Sequence, residues 1–249
     1  MRLVPKIAAF SLAVLALCAS EAQALPSVTM RIDGPVNDQD PPYYADFAPN
    51  QQALDTFTNT MVTLNDQAVY CVERNEVFNN GSSYTFTIDP FVSLEGGSGA
   101  ESLSAESAYL FDTFARGLWA SRSLTFSTSS DAQTEGLQQA FWILQGDQTL
   151  AGVLSAYGGN TSLAAQAQTW ASTYISAATN AVLSGAWSGI GAVRVMNLWS
   201  GTAYTEAADK QSQLVLTLPI PSSAWLGLGM MSVLGVVGAI RRRKRQALV

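Results

Sequence analysis

Histidine is absent from all 249 positions and cysteine occurs only at Cys18 and Cys71. The first absence excludes Ser-His-Asp and Cys-His catalysis, His-containing zinc sites and a histidine pH switch. The second excludes Cys-rich metal sites and CxxC redox motifs. No metal or cofactor is expected, and the chain does not read as an enzyme; hydrolysis by carboxylates is a weak alternative because the acids are scattered with no close pair. Basic residues are also scarce in the middle: from Leu25 to Pro221 there are six against eighteen acidic ones, a net charge of −12. Nucleic acid is not an expected partner, since phosphate contacts need clustered Lys and Arg.

What is present at the two ends reads as an address. Arg2 and Lys6 precede the apolar run Ile7 to Ala19 and the small-x-small site Ala22-Gln23-Ala24, the pattern of a secretory signal peptide over residues 1–24. A lipoprotein site at Cys18 is the weaker alternative, because Leu17 stands where such sites want a small residue. At the other end, Leu218-Pro219-Ile220-Pro221 leads into an apolar stretch, 224–240, and then Arg241, Arg242, Arg243, Lys244 and Arg245. That stretch sits at the short edge of what spans a bilayer, with the basic cluster kept cytoplasmic. A simple stop-transfer anchor is the plainer reading of it.

Removal of Cys18 with the signal leaves Cys71 as the lone thiol of an exported chain. Such a cysteine is a buried structural thiol, half of an intermolecular pair, or a reactive group.

Between the ends, 25–217 reads as one α+β domain, a mixed, mainly antiparallel sheet packed with several helices. Val28 to Ile32 predicts a strand, and the Asp/Pro/Tyr-rich 37–49 a surface loop. Leu54, Phe57 and Met61 favour a helix over 51–64, although its threonines also suit an extended chain. Ala68 to Phe78, holding Cys71, and Tyr84 to Ile88 predict a hairpin turned by Asn79-Asn80-Gly81-Ser82, with Gly96, Gly97 and Gly99 forming a loop beyond it. Helices are expected over 104–118, capped by Ser104; over 131–145, capped by Asp131 and stopped by Gly146; and over 161–183. Gln138 and Trp142 then share one face of the second helix. Val193 to Trp199 and Gln213 to Leu218 predict two further strands.

Two resemblances rest on these residues. The C-terminal 218–249 resembles the PEP-CTERM sorting signals of bacteria, in the variant written Val-Pro-Leu-Pro-Ala followed by Ala, any residue, Trp and Leu. Leu218-Pro219-Ile220-Pro221-Ser222-Ser223-Ala224-Trp225-Leu226 keeps Pro219, Pro221, Trp225 and the final leucine, and has Ile220 where the commonest form has Glu. The resemblance implies export, transient residence in the inner membrane, processing by an exosortase-type enzyme, and delivery to the cell surface or extracellular matrix.

The middle, roughly 68–144, resembles the thioester domains of bacterial surface adhesins, known for a Thr-Gln-x-Ala motif. Cys71 follows the aromatic Tyr70, while Gln138, Ala140, Phe141 and Trp142 fill the second motif, with Leu137 in place of its threonine; Ala108-Tyr109-Leu110 fits the helix upstream. The resemblance implies an internal thioester between Cys71 and Gln138, which Tyr70, Phe141 and Trp142 would keep from water; with no histidine as base, proton transfer falls to a carboxylate such as Glu73, a tyrosine or the incoming amine. A partner protein's amine, or a polysaccharide, would be the extracellular ligand. The alternative is a non-catalytic structural matrix or biofilm protein in which Cys71 is buried and unreacted. Trp119, Trp187 and Trp199 could stack on sugars, but tryptophans in such a chain more often fill a core.

Overall fold

The computed structural model describes residues 26–31, 41–49, 51–92, 100–156, 161–202 and 205–219. The expected signal peptide, the membrane segment 224–240, the basic cluster Arg241 to Arg245, the Gly96–Gly99 loop, and Ile220, Pro221 and Trp225 of the sorting motif lie outside these residues. Among the described residues, no helix is long and apolar enough to cross a membrane.

Six strands close on themselves. They are β1 (Ser27–Arg31), β2 (Tyr43–Phe47), β5 (Gln67–Cys71), β6 (Ser83–Asp89), β9 (Val193–Trp199) and β10 (Asp209–Leu216). Around the barrel the order is β1-β2-β5-β10-β9-β6 and back to β1, every neighbour antiparallel. From β6 the sheet continues outward through β3 (Gln51–Asp55), which is parallel to β6, then β4 (Thr60–Leu64) and β11 (Leu218–Pro219). A two-stranded ribbon, β7 (Phe91–Val92) with β8 (Glu101–Ser102), leads to the helices. These are α1 (Ala105–Ala115), α2 (Asp131–Leu144), the single turn α3 (Val153–Ala156) and α4 (Thr161–Leu183).

The period of two along each strand sorts side chains into two cores. Val69 and Cys71 of β5, Met196 and Leu198 of β9, and Val215 of β10 face the barrel interior with Val28, Met30, Phe47 and Phe86. Their sequence neighbours Tyr70, Val193, Val195 and Leu214 face outward, where Leu110, Phe111, Leu137, Phe141 and Tyr174 of the helices cover them. A strand buried on both faces, as β9 is along all seven residues, is what a sheet with helices on its outside requires.

The α+β expectation holds in its coarse form, with closure of the sheet into a barrel as the added feature. The helix expected over 51–64 is instead the β3–β4 hairpin: Ala53, Asp55, Val62 and Leu64 are buried alternately, and Asn59 takes the left-handed turn conformation at φ 51°. Leu54 and Phe57, which suggested helical spacing, are exposed. Within the expected loop 37–49 lies β2, which supplies barrel residues Ala45 and Phe47. The turn at Asn79–Ser82 is present, but β5 and β6 do not pair with one another; β5 lies between β2 and β10, and β6 between β1 and β9. Trp199 is core, while Trp119 stacks on Phe126 and Trp187 packs edge-on against Tyr109.

Helices α2 and α4 meet at Gly136, where a Cβ would lie 2.5 Å from the Trp170 Cβ and 2.9 Å from the Ala167 carbonyl oxygen. Backbone cannot yield as a flexible side chain does, so Gly136→Ala is expected to destabilise the fold by about 1–3 kcal/mol. Chemical denaturation of the variant beside wild type measures it, and an unchanged midpoint would contradict the packing.

Candidate functional site

Cys71 is wholly buried at the C-terminal end of β5, and what surrounds it follows from where β2 stops. The β2–β5 ladder runs Ala45↔Gln67, Tyr44↔Ala68, Tyr43↔Val69. Continued in register it would set Pro41 opposite Cys71, and proline has no N–H to donate. The ladder therefore ends one step short, leaving the Cys71 main chain without a strand on that side.

Gln138 of α2 fills the gap. Its Oε1 accepts from the Cys71 N–H at 3.0 Å and its Nε2 donates to the Cys71 carbonyl at 2.7 Å. One carboxamide replaces the missing peptide, giving both a donor and an acceptor. Further along, Asp147, just past the end of α2, accepts from the Arg74 N–H at 3.2 Å, so the segment 71–74 is held to α2 at both ends. Gln138 is thus brought to Cys71 as expected, but its carboxamide is engaged with the main chain, not with the sulfur.

The sulfur faces Gln213. Cys71 and Gln213 are direct cross-strand partners on β5 and β10. The Val72 N–H donates to the Ser212 carbonyl, so alternation makes 71–213 the non-hydrogen-bonded pair, the kind whose side chains approach most closely. Cys71 Sγ lies 3.2 Å from Gln213 Nε2 and 3.5 Å from its Oε1, so the sulfur faces the polar edge of the carboxamide. Gln213 Nε2 also donates to the Gln211 carbonyl at 2.9 Å, and the Tyr43 hydroxyl reaches the same sulfur. Burial pushes the Cys71 thiol far up, and the hydrogen bond from Gln213 offsets only part of this. It therefore rests as a neutral thiol.

In the sequence Gln213 reads as a polar residue at the start of a largely apolar terminal strand, with nothing nearby to mark it. The available signal was parity: in Gln213-Leu214-Val215 the glutamine shares its face with Val215, an interior position where an amide needs a reason to be.

Glu73, two residues along from Cys71, is 2% exposed. Its Oε2 accepts from the Ser212 N–H at 2.7 Å, while Oε1 is buried without a partner. Burial raises its carboxyl to about 7, the Ser212 hydrogen bond opposing and the charges of Asp209 and Glu76 adding to the shift. A buried carboxyl that exchanges its proton near neutrality, and whose charge acts on the Cys71 thiol, is a candidate proton carrier for it.

The aromatic surroundings divide by face. Tyr70 and Phe141, 5.4 Å apart, belong to the core under the helices together with Ala140 and Leu137, on the side of β5 away from the sulfur. They anchor the strand and do not wall the thiol, which corrects the expectation for both. Leu137, where the resembled motif has threonine, is simply core. Trp142 does pack on the barrel cluster that holds Cys71, with its buried Nε1–H lacking an acceptor. Among the described residues, no group of three or more Cys, Asp or Glu is placed to hold a metal ion.

Glu73 gives a pH signature. Its carboxyl is raised in the fold above the ordinary carboxylate value near 4.5, so the folded state binds more protons than the unfolded one between about 4.5 and about 7. Stability should fall as pH rises through that window and level off above it. Glu73→Gln should remove the slope and raise stability at pH 8 by up to about 3 kcal/mol, read from denaturation midpoints across pH. An identical slope in the variant would contradict the assignment.

Comparison with protein families, with curated proteins and with solved structures yields no match to this chain.

Proposed function

We propose that this is an exported surface protein that captures an extracellular partner once and covalently, through an internal thioester between Cys71 and Gln213. The observation that carries the reading is the sulfur lying against both heteroatoms of a buried carboxamide on a directly opposed residue. The donor differs from the Gln138 that the motif resemblance implies; Gln138 keeps the cysteine's main chain in place.

In forming the bond, the Cys71 sulfur attacks the Gln213 carbonyl carbon, the thiol proton passes to the departing nitrogen by way of Glu73, and ammonia leaves. Exchange of an amide for a thioester is uphill in water. The fold favours it by holding the two groups in contact in an interior that excludes water, and the released ammonia is protonated in the solvent. A partner's primary amine then attacks the same carbon, an amide to the partner forms, and the sulfur regains its proton. Burial disfavours a thiolate leaving group, so the proton must arrive as the C–S bond breaks, and Glu73 in its protonated form is the nearby source.

Delivery by the sorting signal belongs to the same reading: transient residence in the inner membrane, processing by an exosortase-type enzyme, and release to the cell surface or matrix. Pro219 pairs with Val62 in β11, so processing at or beyond Pro221 leaves that strand whole. Loss of the exosortase should leave the unprocessed chain in the inner membrane; unchanged surface delivery would remove this part of the proposal. The rival reading, an inert matrix component, draws on the complete burial of the thiol.

Intact mass separates the two. The exported wild type should be one ammonia lighter than its sequence requires, and Cys71→Ala and Gln213→Ala should each abolish the deficit. Full sequence mass in the wild type, with a thiol that titrates on unfolding, would favour the inert reading. Gln138→Ala, which strips a buried N–H and C=O of their partners, should cost about 2–5 kcal/mol of stability.

A further inference from the structure

We propose that Ser212 is a positioning residue for the Glu73 carboxyl: its hydroxyl stands between Glu73 and Asn197 and turns from one to the other as Glu73 gains or loses its proton. The relay is a feature of the fold. Its bearing on the chemistry rests on the thioester reading, to which it adds how the acid that serves the sulfur is tuned.

Glu73, Ser212, Asn197 and Asp89 are all buried. The register of β10 on β9 slips between Lys210 and Gln213, a bulge of the kind that re-aims side chains, and the Ser212 N–H donates to Glu73 Oε2 at 2.7 Å. The Ser212 hydroxyl donates to Asn197 Oδ1 at 2.9 Å, and the same hydroxyl lowers the Glu73 carboxyl against the effect of burial. Asn197 is not free to turn its amide away. Its Nδ2 donates to Asp89 Oδ2 at 2.8 Å and to the Phe91 carbonyl at 3.2 Å, so Oδ1 faces Ser212. Asp89 is fixed in turn by the hydroxyls of Thr56 and Thr87, each at 2.6 Å.

One hydroxyl hydrogen cannot serve two acceptors. While Glu73 is protonated, Ser212 keeps its bond to Asn197 and its oxygen is open to the carboxyl O–H; once Glu73 is ionised, the hydrogen turns to the carboxylate. Asn197 therefore competes for the donor that favours ionised Glu73 and holds the carboxyl protonated to higher pH, while Ser212 acts in the opposite sense. When the thioester opens, the Glu73 proton goes to the departing sulfur, and the carboxylate that remains receives the Ser212 hydroxyl, a dipole already in place where the charge appears. No proton travels through Asn197. The other ionisable groups around Glu73 are Asp209 of β10 and Glu76 of its own segment, which oppose its ionisation, and the Cys71 thiol. Beyond these stand Arg74, next in sequence, Asp147 past α2, bound to the Arg74 N–H, and Lys210, whose ammonium bonds the Asp209 carbonyl. Substitution at Ser212 or Asn197 removes none of them.

The test follows the Glu73 carboxyl carbon by NMR through a pH titration of the exported protein. In the wild type the midpoint should fall at about 7. Ser212→Ala, which removes the donor, should move it up by about one pH unit, and Asn197→Leu, which removes the competitor, should move it down by about as much. Ser212→Thr, which keeps the hydroxyl, should titrate as the wild type does; should Asn197→Leu not fold, the two Ser212 variants decide. Mere loosening of the core admits water and lowers the midpoint in every variant, so the upward shift is one that a structural role does not produce. At constant free-base methylamine, the rate of thioester opening should fall with rising pH about the same midpoints. An unmoved or lowered midpoint in Ser212→Ala would overturn the relay, and the thioester would still stand wherever the mass deficit is present. A missing mass deficit sinks the thioester, and the NMR midpoints still decide the relay.

Discussion

The two hydrogen bonds from the Gln138 carboxamide to the main chain of Cys71 join the helical layer to the barrel at the point where the barrel's own ladder gives out. Pro41 and Pro42 end β2, the Cys71 peptide loses its strand partner, and a side chain from α2 stands in for it. With that side filled, Cys71 is held at the end of β5 with its sulfur turned inward. The opposite side of the strand is then set by β10, whose register brings Gln213 to the sulfur. Each step is local, and together they put a thiol against an amide inside a closed barrel.

Electrostatics gives the arrangement its chemical character. The interior raises both the thiol and the Glu73 carboxyl, by burial first in each case, so the thiol stays neutral while the carboxyl exchanges its proton near pH 7. A neutral thiol is a poor nucleophile and a raised carboxyl is a serviceable proton carrier near pH 7, so the proposed thioester would draw on Glu73 for both its making and its breaking. Placing Tyr70 and Phe141 on the far face shows that water is kept out by the closed barrel more than by an aromatic wall.

Much of this was legible in the sequence where a periodic pattern was strong. The α4 helix and β9 have the bounds their patterns predict, because alanine-rich helical spacing over 161–183 and a largely apolar stretch over 193–199, interrupted only by Arg194 and Asn197, admit few alternatives. The singling out of Cys71 also needed only counting. What the sequence could not display was pairing between distant segments. Barrel closure through β1 and β6 joins strands more than fifty residues apart, and the 51–64 segment carried helical and strand periods at once, a tie that burial of Ala53 and Val62 broke. The place of Gln213 beside the sulfur was hidden for the same reason. Two motifs sixty-seven residues apart do meet, but the residue that touches the sulfur sits 142 positions from it, on a strand whose register is a property of the whole sheet.

Site mapping of an opened bond tests the central claim most directly. After the exported protein is treated with methylamine and digested, the account predicts a methylamide on Gln213, an unmodified Gln138, and a newly alkylatable Cys71 in the same molecules. Methylamide on Gln138, or none on either glutamine with Cys71 alkylatable only after unfolding, would contradict it.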